Sequence, residues 1–342
     1  MKPEVTYRFS ELPLDGRAMR VADGVYWVRM PLPFALNHIN LWLLEDGDGW
    51  TMVDTGIGGE KVRDLWESVF ASTLEGKPVT RILVTHFHPD HMGQAGWMTG
   101  RWKAPIWMTQ AEWLYARHQH SSDPAGRFEA AEIFYRRAGV PEAQIPALLQ
   151  RFGRYREGVE PIPASYRRIF GGDEIRIGNR VWTIIIGEGH CPEHACLACP
   201  EDKLLISGDI VLPRISPNVS LFPQEPDGDP LSRYLACLDR FAHLPEDTLV
   251  LPSHDTPFTG LHARIENLRQ HHRHRLDIIL DACAKQPQTG LSVMKAMFTR
   301  ELDSLQLGFA IGEALAHLNL LWREGRLIRE AGPDGVDLYR LA

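Results

Sequence analysis

Ile82-Leu83-Val84-Thr85-His86-Phe87-His88-Pro89-Asp90-His91 sets three histidines and an aspartate directly behind a short apolar run. Such a run reads as a buried strand, so the polar residues fall in a tight loop at its end. Imidazole and carboxylate are the ligand types of zinc, and of iron or manganese at related sites. An exposed polar loop needs no such spacing, whereas a metal-binding loop does.

Further along the chain, three residues occupy the same kind of position. His190 follows the apolar strand Val181-Trp182-Thr183-Ile184-Ile185-Ile186 within Gly187-Glu188-Gly189-His190. Asp209 ends Leu204-Leu205-Ile206-Ser207-Gly208, and His254 ends Leu249-Val250-Leu251-Pro252-Ser253. Layered α/β folds gather reactive groups at one set of strand ends, where loops converge over a rigid sheet. Four strand ends that each donate metal-binding groups form a coherent set.

The first hundred residues read as strands broken by turns: Val25–Val28, His38–Leu44, and Trp50–Val53 ending in Asp54-Thr55-Gly56. Helical spacing follows over Glu60–Phe70, then strands at Arg81–Thr85 and Ala104–Met108. From 110 to about 157 the apolar spacing turns helical, with Pro141 and Pro146 as punctuation, which predicts two or three inserted helices. Strands resume through 181–186, 195–198, 203–207 and 248–251, with helices at 231–242 and 262–284. Beyond Lys285-Gln286-Pro287-Gln288, helices at 291–298 and 310–322 precede a hairpin of 326–330 with 336–341 across Gly332-Pro333-Asp334-Gly335. Helix, helix and two-stranded wing predict a winged-helix module at 286–342, behind a catalytic domain at 1–285 that carries the insertion at about 110–157.

The combination of Asp54-Thr55-Gly56, the H-x-H-x-D-H at 86–91, His190, Ser207-Gly208-Asp209 and His254 resembles the metallo-β-lactamase superfamily, in particular its glyoxalase II-like branch. The resemblance implies an α/β fold, an αββα sandwich, with a helical insertion and a C-terminal winged-helix domain. It implies that His86, His88 and His190 hold one divalent ion, that Asp90, His91 and His254 hold another, that Asp209 bridges them, and that Asp54 braces the loop from behind. Two divalent ions, Zn2+ first with Fe or Mn as alternatives, can share a hydroxide and polarise a carbonyl. Asp90 and Asp209 are the expected catalytic carboxylates. The expected reaction is hydrolysis of a small acyl substrate, a thioester or a lactone, by water. The superfamily's commonest zinc β-lactamases carry cysteine where this chain has Asp209, which argues against antibiotic hydrolysis. The C-terminal module, around Gly312-Glu313-Ala314-Leu315-Ala316-His317-Leu318, resembles one appended to a glyoxalase-like group that includes an endoribonuclease branch.

Three alternatives stand beside that reading. They are RNA phosphodiester cleavage, a mononuclear iron sulfur dioxygenase, and a DNA-binding regulator built on the C-terminal module. A net charge of -7 disfavours nucleic acid as the main partner, and Glu313 and Glu324 against Arg323 leave the second C-terminal helix without a basic face. Packing or homodimer formation is the expected job of that module. With 44% hydrophobic and 24% charged residues, the composition is that of a globular protein with a real core. No apolar run reaches the length of a membrane span, the N-terminus lacks a secretory apolar core, and five cysteines do not suggest a disulfide framework. A reducing cytoplasm is the expected location.

Blander readings are expected elsewhere. His194 is placed as a hydrogen-bonding neighbour of the metal site, and Cys196 and Cys199 as buried thiols. Cys191, beside His190, stands out only as a site open to oxidation or inhibitors. Trp97, Trp102, Trp107 and Trp113 are read as core and insertion packing. The run His271-His272-Arg273-His274-Arg275, with Arg264 and Arg269, reads as a solvated helix face, as do Arg151, Arg154, Arg156, Arg167 and Arg168. An anion contact is the alternative for both basic groups.

Overall fold

β-branched and aromatic runs between glycine turns assemble into two seven-stranded sheets in the computed structural model, which describes residues 5–34, 36–121, 125–150, 154–332 and 334–342. A two-residue strand, β1 (Thr6–Tyr7), lies at the edge of the second sheet. The first sheet runs in order through β2 (Ala18–Ala22), β3 (Val25–Pro31), β4 (His38–Asp46), β5 (Gly49–Val53), β6 (Val79–Leu83), β7 (Ile106–Met108) and β8 (Arg167–Arg168). The second continues from β9 (Glu174–Ile177) through β10 (Arg180–Gly187), β11 (His194–Cys199), β12 (Leu204–Gly208), β13 (Leu249–Pro252) and β14 (Phe258–Thr259) to β1.

Each sheet is antiparallel on one side and turns parallel where the chain crosses over: β5 with β6 in the first, β12 with β13 in the second. Val53 then pairs with Leu83, and Gly208 with Pro252, so in each sheet two carboxyl ends stand side by side. Ligands gather at carboxyl ends of this kind.

The sheets face each other across Trp27, Trp42, Val53, Leu83, Trp182, Ile184, Leu197, Ile206 and Leu251. Helices α1 (Glu60–Thr73), α2 (Pro89–Met92) and α3 (Ala95–Trp102) supply Val62, Trp66, Phe70, Met92 and Met98 to a second cluster on β3–β7. Trp97 and Trp102 lie against this cluster and Trp107 sits in the inter-sheet core, so the packing reading of these residues is met. Trp113, from α4 (Gln110–Gln119), stacks on Tyr166 at a centroid distance of 4.6 Å. Several elements escaped the sequence reading, among them helix α3, the two-residue strands β1, β8 and β14, and the longer β2 and β9. β2 and β9 are edge strands of mixed polarity, and edge strands need no continuous apolar run. The strand carrying the histidines also ends earlier than expected, at Leu83.

The sandwich belongs to a compact unit of residues 1–120, 155–217 and 240–265; a second unit comprises 121–154, 218–239 and 266–342. The inserted segment therefore divides. Its stems, α4 and α7 (Tyr155–Gly158), belong to the sandwich unit, whereas α5 (Ala125–Arg137) and α6 (Ile145–Leu149) belong to the second. The second unit also holds α8 (Pro230–Cys237), most of α9 (Leu261–Lys285), α10 (Gly290–Met297), α11 (Ser304–Arg323) and the hairpin β15 (Leu327–Ala331) with β16 (Asp337–Leu341). Helix, helix and hairpin thus occur in the expected order. Thr289 caps α10 in a reciprocal capping box with Ser292, and Asp303 caps α11 by accepting from Gln306 N.

The solvated-face reading of 271–275 needs correction. Arg273 and His274 are exposed, but His272 is fully buried beside His317, at 3.1 Å between Nδ1 and Nε2. Arg275 pairs with the buried Glu313 at 3.0 Å and lies over the Phe298 ring. Arg264 is buried too, donating to the carbonyls of Leu212 and Ile215. The physical reason is periodicity: on one continuous helix, 264, 268, 272, 275 and 279 share a face, and the apolar Leu268 and Ile279 bury that face. Arg154, Arg156, Arg167 and Arg168 are exposed as expected, the last two lying over Trp107 and Phe170; Arg151 lies outside the described residues.

Candidate metal centre

The carboxyl ends of β5, β6, β10, β12 and β13 deliver all seven expected ligands and Asp54 to one edge of the sandwich. Ala195 N donates to Thr85 O at 2.9 Å, linking the histidine loop to the opposite sheet. Asn40 makes a second link: it accepts from Trp27 Nε1 at 2.8 Å and donates to the carbonyls of Pro252 and Asp255, fixing the turn that presents His254.

Two groups of donor atoms result, one of His86, His88, His190 and Asp209, the other of Asp90, His91 and His254. Within the first, His86 Nε2 lies 2.9 Å from His88 Nδ1 and 3.3 Å from His190 Nε2. Asp209 faces both groups. Its Oδ2 is 3.4 Å from His190 Nε2, and its Oδ1 is 3.5 Å from both His91 Nε2 and His254 Nε2. Asp90 Oδ2 stands 3.5 Å from His254 Nε2 and 3.8 Å from His91 Nε2.

Hydrogen bonds behind the cluster settle which ring nitrogens face inward. Asp54 accepts from Thr85 N at 2.7 Å, Thr85 Oγ1 at 2.8 Å and His91 Nδ1 at 2.7 Å, which turns His91 Nε2 toward the centre. His86 Nδ1 donates to Thr85 Oγ1 and His254 Nδ1 to His38 O, so their Nε2 atoms point inward as well. Asp54 adopts a left-handed backbone (φ 61°), an uncommon state for a residue with a Cβ that its three accepted bonds hold in place. His194 Nε2 accepts from Asp209 N at 3.1 Å, the neighbouring role expected for it. Gly208 makes that contact possible: at φ 52° a Cβ there would collide with the His194 ring.

This donor set fits divalent cations. His91 Nε2 and Asp209 Oδ1 are buried atoms with no hydrogen-bond partner, both turned toward the cluster's middle, and buried polar atoms rarely stay so unless something fills the gap. Burial, then the neighbouring imidazoles, holds His86 and His88 well below the usual histidine range, favouring the neutral rings that metals need. Burial opposes charge on His91 as well, yet Asp54, Asp209 and Asp90 outweigh it and raise the ring well above its usual value. The pocket's carboxylates thus attract positive charge, which a proton or a cation can supply.

Two residues close behind the loop lie in the stretch read only as inserted helices. Glu112 of α4 is fully buried and accepts from Phe87 N and Glu193 N; burial, opposed by those two donors, pushes it up to about 7. Tyr155 donates to Phe87 O at 2.5 Å. Apolar spacing misled at 112, where a carboxylate occupies an inward-facing helical position. The five cysteines are all buried and none forms a disulfide, in keeping with the thiol reading of Cys196 and Cys199.

Comparison with known proteins matches this arrangement. Residues 36–254 fit the family model of the metallo-beta-lactamase superfamily, and 276–342 fit that of a metallo-beta-lactamase-like C-terminal domain. A probable metallo-hydrolase of Bacillus subtilis, YqjP, is 26% identical over 88% of this chain and 93% of its own length. The human acyl-coenzyme A thioesterase MBLAC2 is 25% identical over 70% of this chain and 80% of its own. Among solved structures, a beta-lactamase domain protein from Burkholderia ambifaria superposes with a TM-score of 0.91 at 46% identity, covering 99% of this chain and 98% of that one. A metallo-beta-lactamase family protein from Thermus thermophilus gives 0.79 at 29% identity over 94% of this chain and 100% of its own. With the family model spanning most of the sandwich and the site's residues standing where its strands end, this chain belongs to the metallo-beta-lactamase superfamily and is a metallo-hydrolase of it.

Proposed function

We propose that the chain hydrolyses a small acyl thioester at a pair of divalent cations, with a lactone as the related substrate class. The observation that carries this reading is Asp209, whose two carboxylate oxygens face the two histidine groups separately. His86, His88 and His190 would hold one ion, Asp90, His91 and His254 the other, and Asp209 both. Zn2+ is the ion best matched to this nitrogen-rich set, with Fe and Mn as alternatives. Ions held there would lower the pKa of water enough to supply a nucleophile at neutral pH and draw charge off an acyl oxygen.

The protein's own groups do the rest. Asp90 is the ligand aspartate with the more open side chain, 18% exposed against 9% for Asp209. Its carboxylate can take the proton that water loses as oxygen adds to the acyl carbon, and return it to the departing thiolate when the carbon–sulfur bond breaks. Asp54 and His38 hold His91 and His254 in register through the attack. The thioesterase relatives favour this substrate class over a phosphodiester, and the net charge of -7 points the same way.

The test is to incubate the metal-loaded protein with acyl-coenzyme A esters, simple lactones and single-stranded RNA. Thioester turnover that falls at least ~10³-fold in Asp209→Ala is expected, since removing the shared carboxylate dismantles both ion positions. RNA turnover without thioester turnover would overturn the assignment.

A further inference from the structure

Phe87 stands between two of the proposed ligands, and both of its backbone polar groups are held by the stems of the insertion. Its N–H donates to Glu112 Oε2 at 3.0 Å, from α4, and its carbonyl accepts from Tyr155 Oη at 2.5 Å, from α7. The remaining oxygen of Glu112 accepts from Glu193 N at 2.7 Å, three residues beyond His190. Glu193 answers in kind: its side chain accepts from Ala111 N at 3.0 Å and its carbonyl from Thr109 Oγ1 at 2.8 Å, at the start of α4. One buried carboxylate therefore ties the loop of His86 and His88 to the loop of His190.

We propose that Glu112 and Tyr155 are positioning residues for the His86–His88–His190 ion, fixing the spread of the two loop histidines and the approach of His190. The inference rests on the metal reading above and extends it to which ion the insertion's stems control. His86 and His88 flank Phe87 and point to the same centre, so a small rotation of that one peptide turns both rings away from it. The Asp90–His91–His254 position hangs chiefly on Asp54 and on the His38 carbonyl; Tyr155 reaches its helix α2 only through the weaker contact of Oη with Met92 Sδ at 3.9 Å.

Tyr155→Phe removes one hydroxyl and keeps the ring. Glu112→Gln keeps the shape, but its amide can accept from one backbone N–H only and presents an NH2 to the other. Asp303→Ala serves as a stability control, because it removes the cap of α11 in the second unit and leaves the metal loops intact. Each protein is loaded with zinc and titrated with a chromophoric chelator, then loaded with cobalt(II) and its ligand-field absorption recorded. His190→Ala supplies the reference spectrum for damage at the first position.

The expected result is that one of two ions binds about 10- to 100-fold more weakly in Tyr155→Phe and Glu112→Gln, as for other residues that orient ligands. Their cobalt spectra shift toward that of His190→Ala, while Asp303→Ala melts earlier and keeps both affinities. Unchanged affinities in the two clamp variants, or metal loss in Asp303→Ala in proportion to its lost stability, would overturn the clamp alone. A wild-type protein that binds no divalent ion would overturn the metal reading, and the clamp with it.

Discussion

Asp54 shows how one residue does several jobs at this site. It ends β5 in a left-handed turn, receives two hydrogen bonds from Thr85, and orients the His91 ring through Nδ1. Asp54→Ala leaves the Thr85 N–H without its acceptor and His91 Nδ1 with only Thr85 Oγ1, at 3.2 Å, which lets the ring rotate. Metal affinity is expected to fall about 10- to 100-fold, measured by competition with a chelator. Retained affinity would mean that His91 is oriented by packing alone. The motif Asp54-Thr55-Gly56 was visible in the chain, and its bracing role followed from resemblance. The three bonds that define the role, from residues 31 and 37 positions away, became visible only in the fold.

At the scale of elements, local sequence was most reliable where a segment carries its own instructions. Helix α10 begins where Thr289 and Ser292 exchange hydrogen bonds, a device contained in four consecutive residues. Thr289→Ala should cost about 1 kcal/mol of stability, read as a lower denaturant midpoint with hydrolysis unchanged. A loss of activity in that variant would show that the capping box matters to the site. Helix α9 shows the opposite case. Its 271–275 run is rich in charge and reads as solvated, yet the helix turns His272 and Arg275 onto the face that Leu268 and Ile279 bury. Local charge density was outweighed there by the apolar face of a 25-residue helix.

On the scale of the molecule, the buried pair in the second unit predicts how stability varies with pH. His317 Nδ1 donates to Glu313 O at 2.7 Å, so its Nε2 accepts from His272 Nδ1, and both rings are neutral in the fold. Burial lowers His272 to about 2, with His317, His271 and Arg275 adding to the shift. Burial lowers His317 to about 3, opposed by the Glu313 carbonyl and reinforced by Arg275 and His271. The unfolded chain takes up these protons near pH 6.5 and the folded one does not. The pair's stability is therefore complete above about pH 6.5 and is lost as pH falls from there toward 3, at up to ~1.4 kcal/mol per pH unit for each ring. Melting midpoints from pH 7 to 4 should decline more gently in His272→Gln than in the wild type; parallel declines would remove this pair as the cause. Chelation acts on the other unit. Ions that bind only the folded site stabilise it by linkage, so stripping them with excess chelator should lower the melting midpoint, and adding zinc back should restore it.

The linear chain determined the central strands of both sheets, the order of the C-terminal helices and hairpin, and the seven candidate ligands, because each is written locally. Apolar runs mark buried strands, and imidazoles at strand ends have few other uses. Folding alone decided that Asp209 offers one oxygen to each histidine group, that Glu112 and Tyr155 grip Phe87 from both sides, and that His272 is buried. Those facts depend on which residues meet across sheets and between distant loops. Pairings of that kind are set by packing over the whole molecule and leave no mark in any short stretch of sequence.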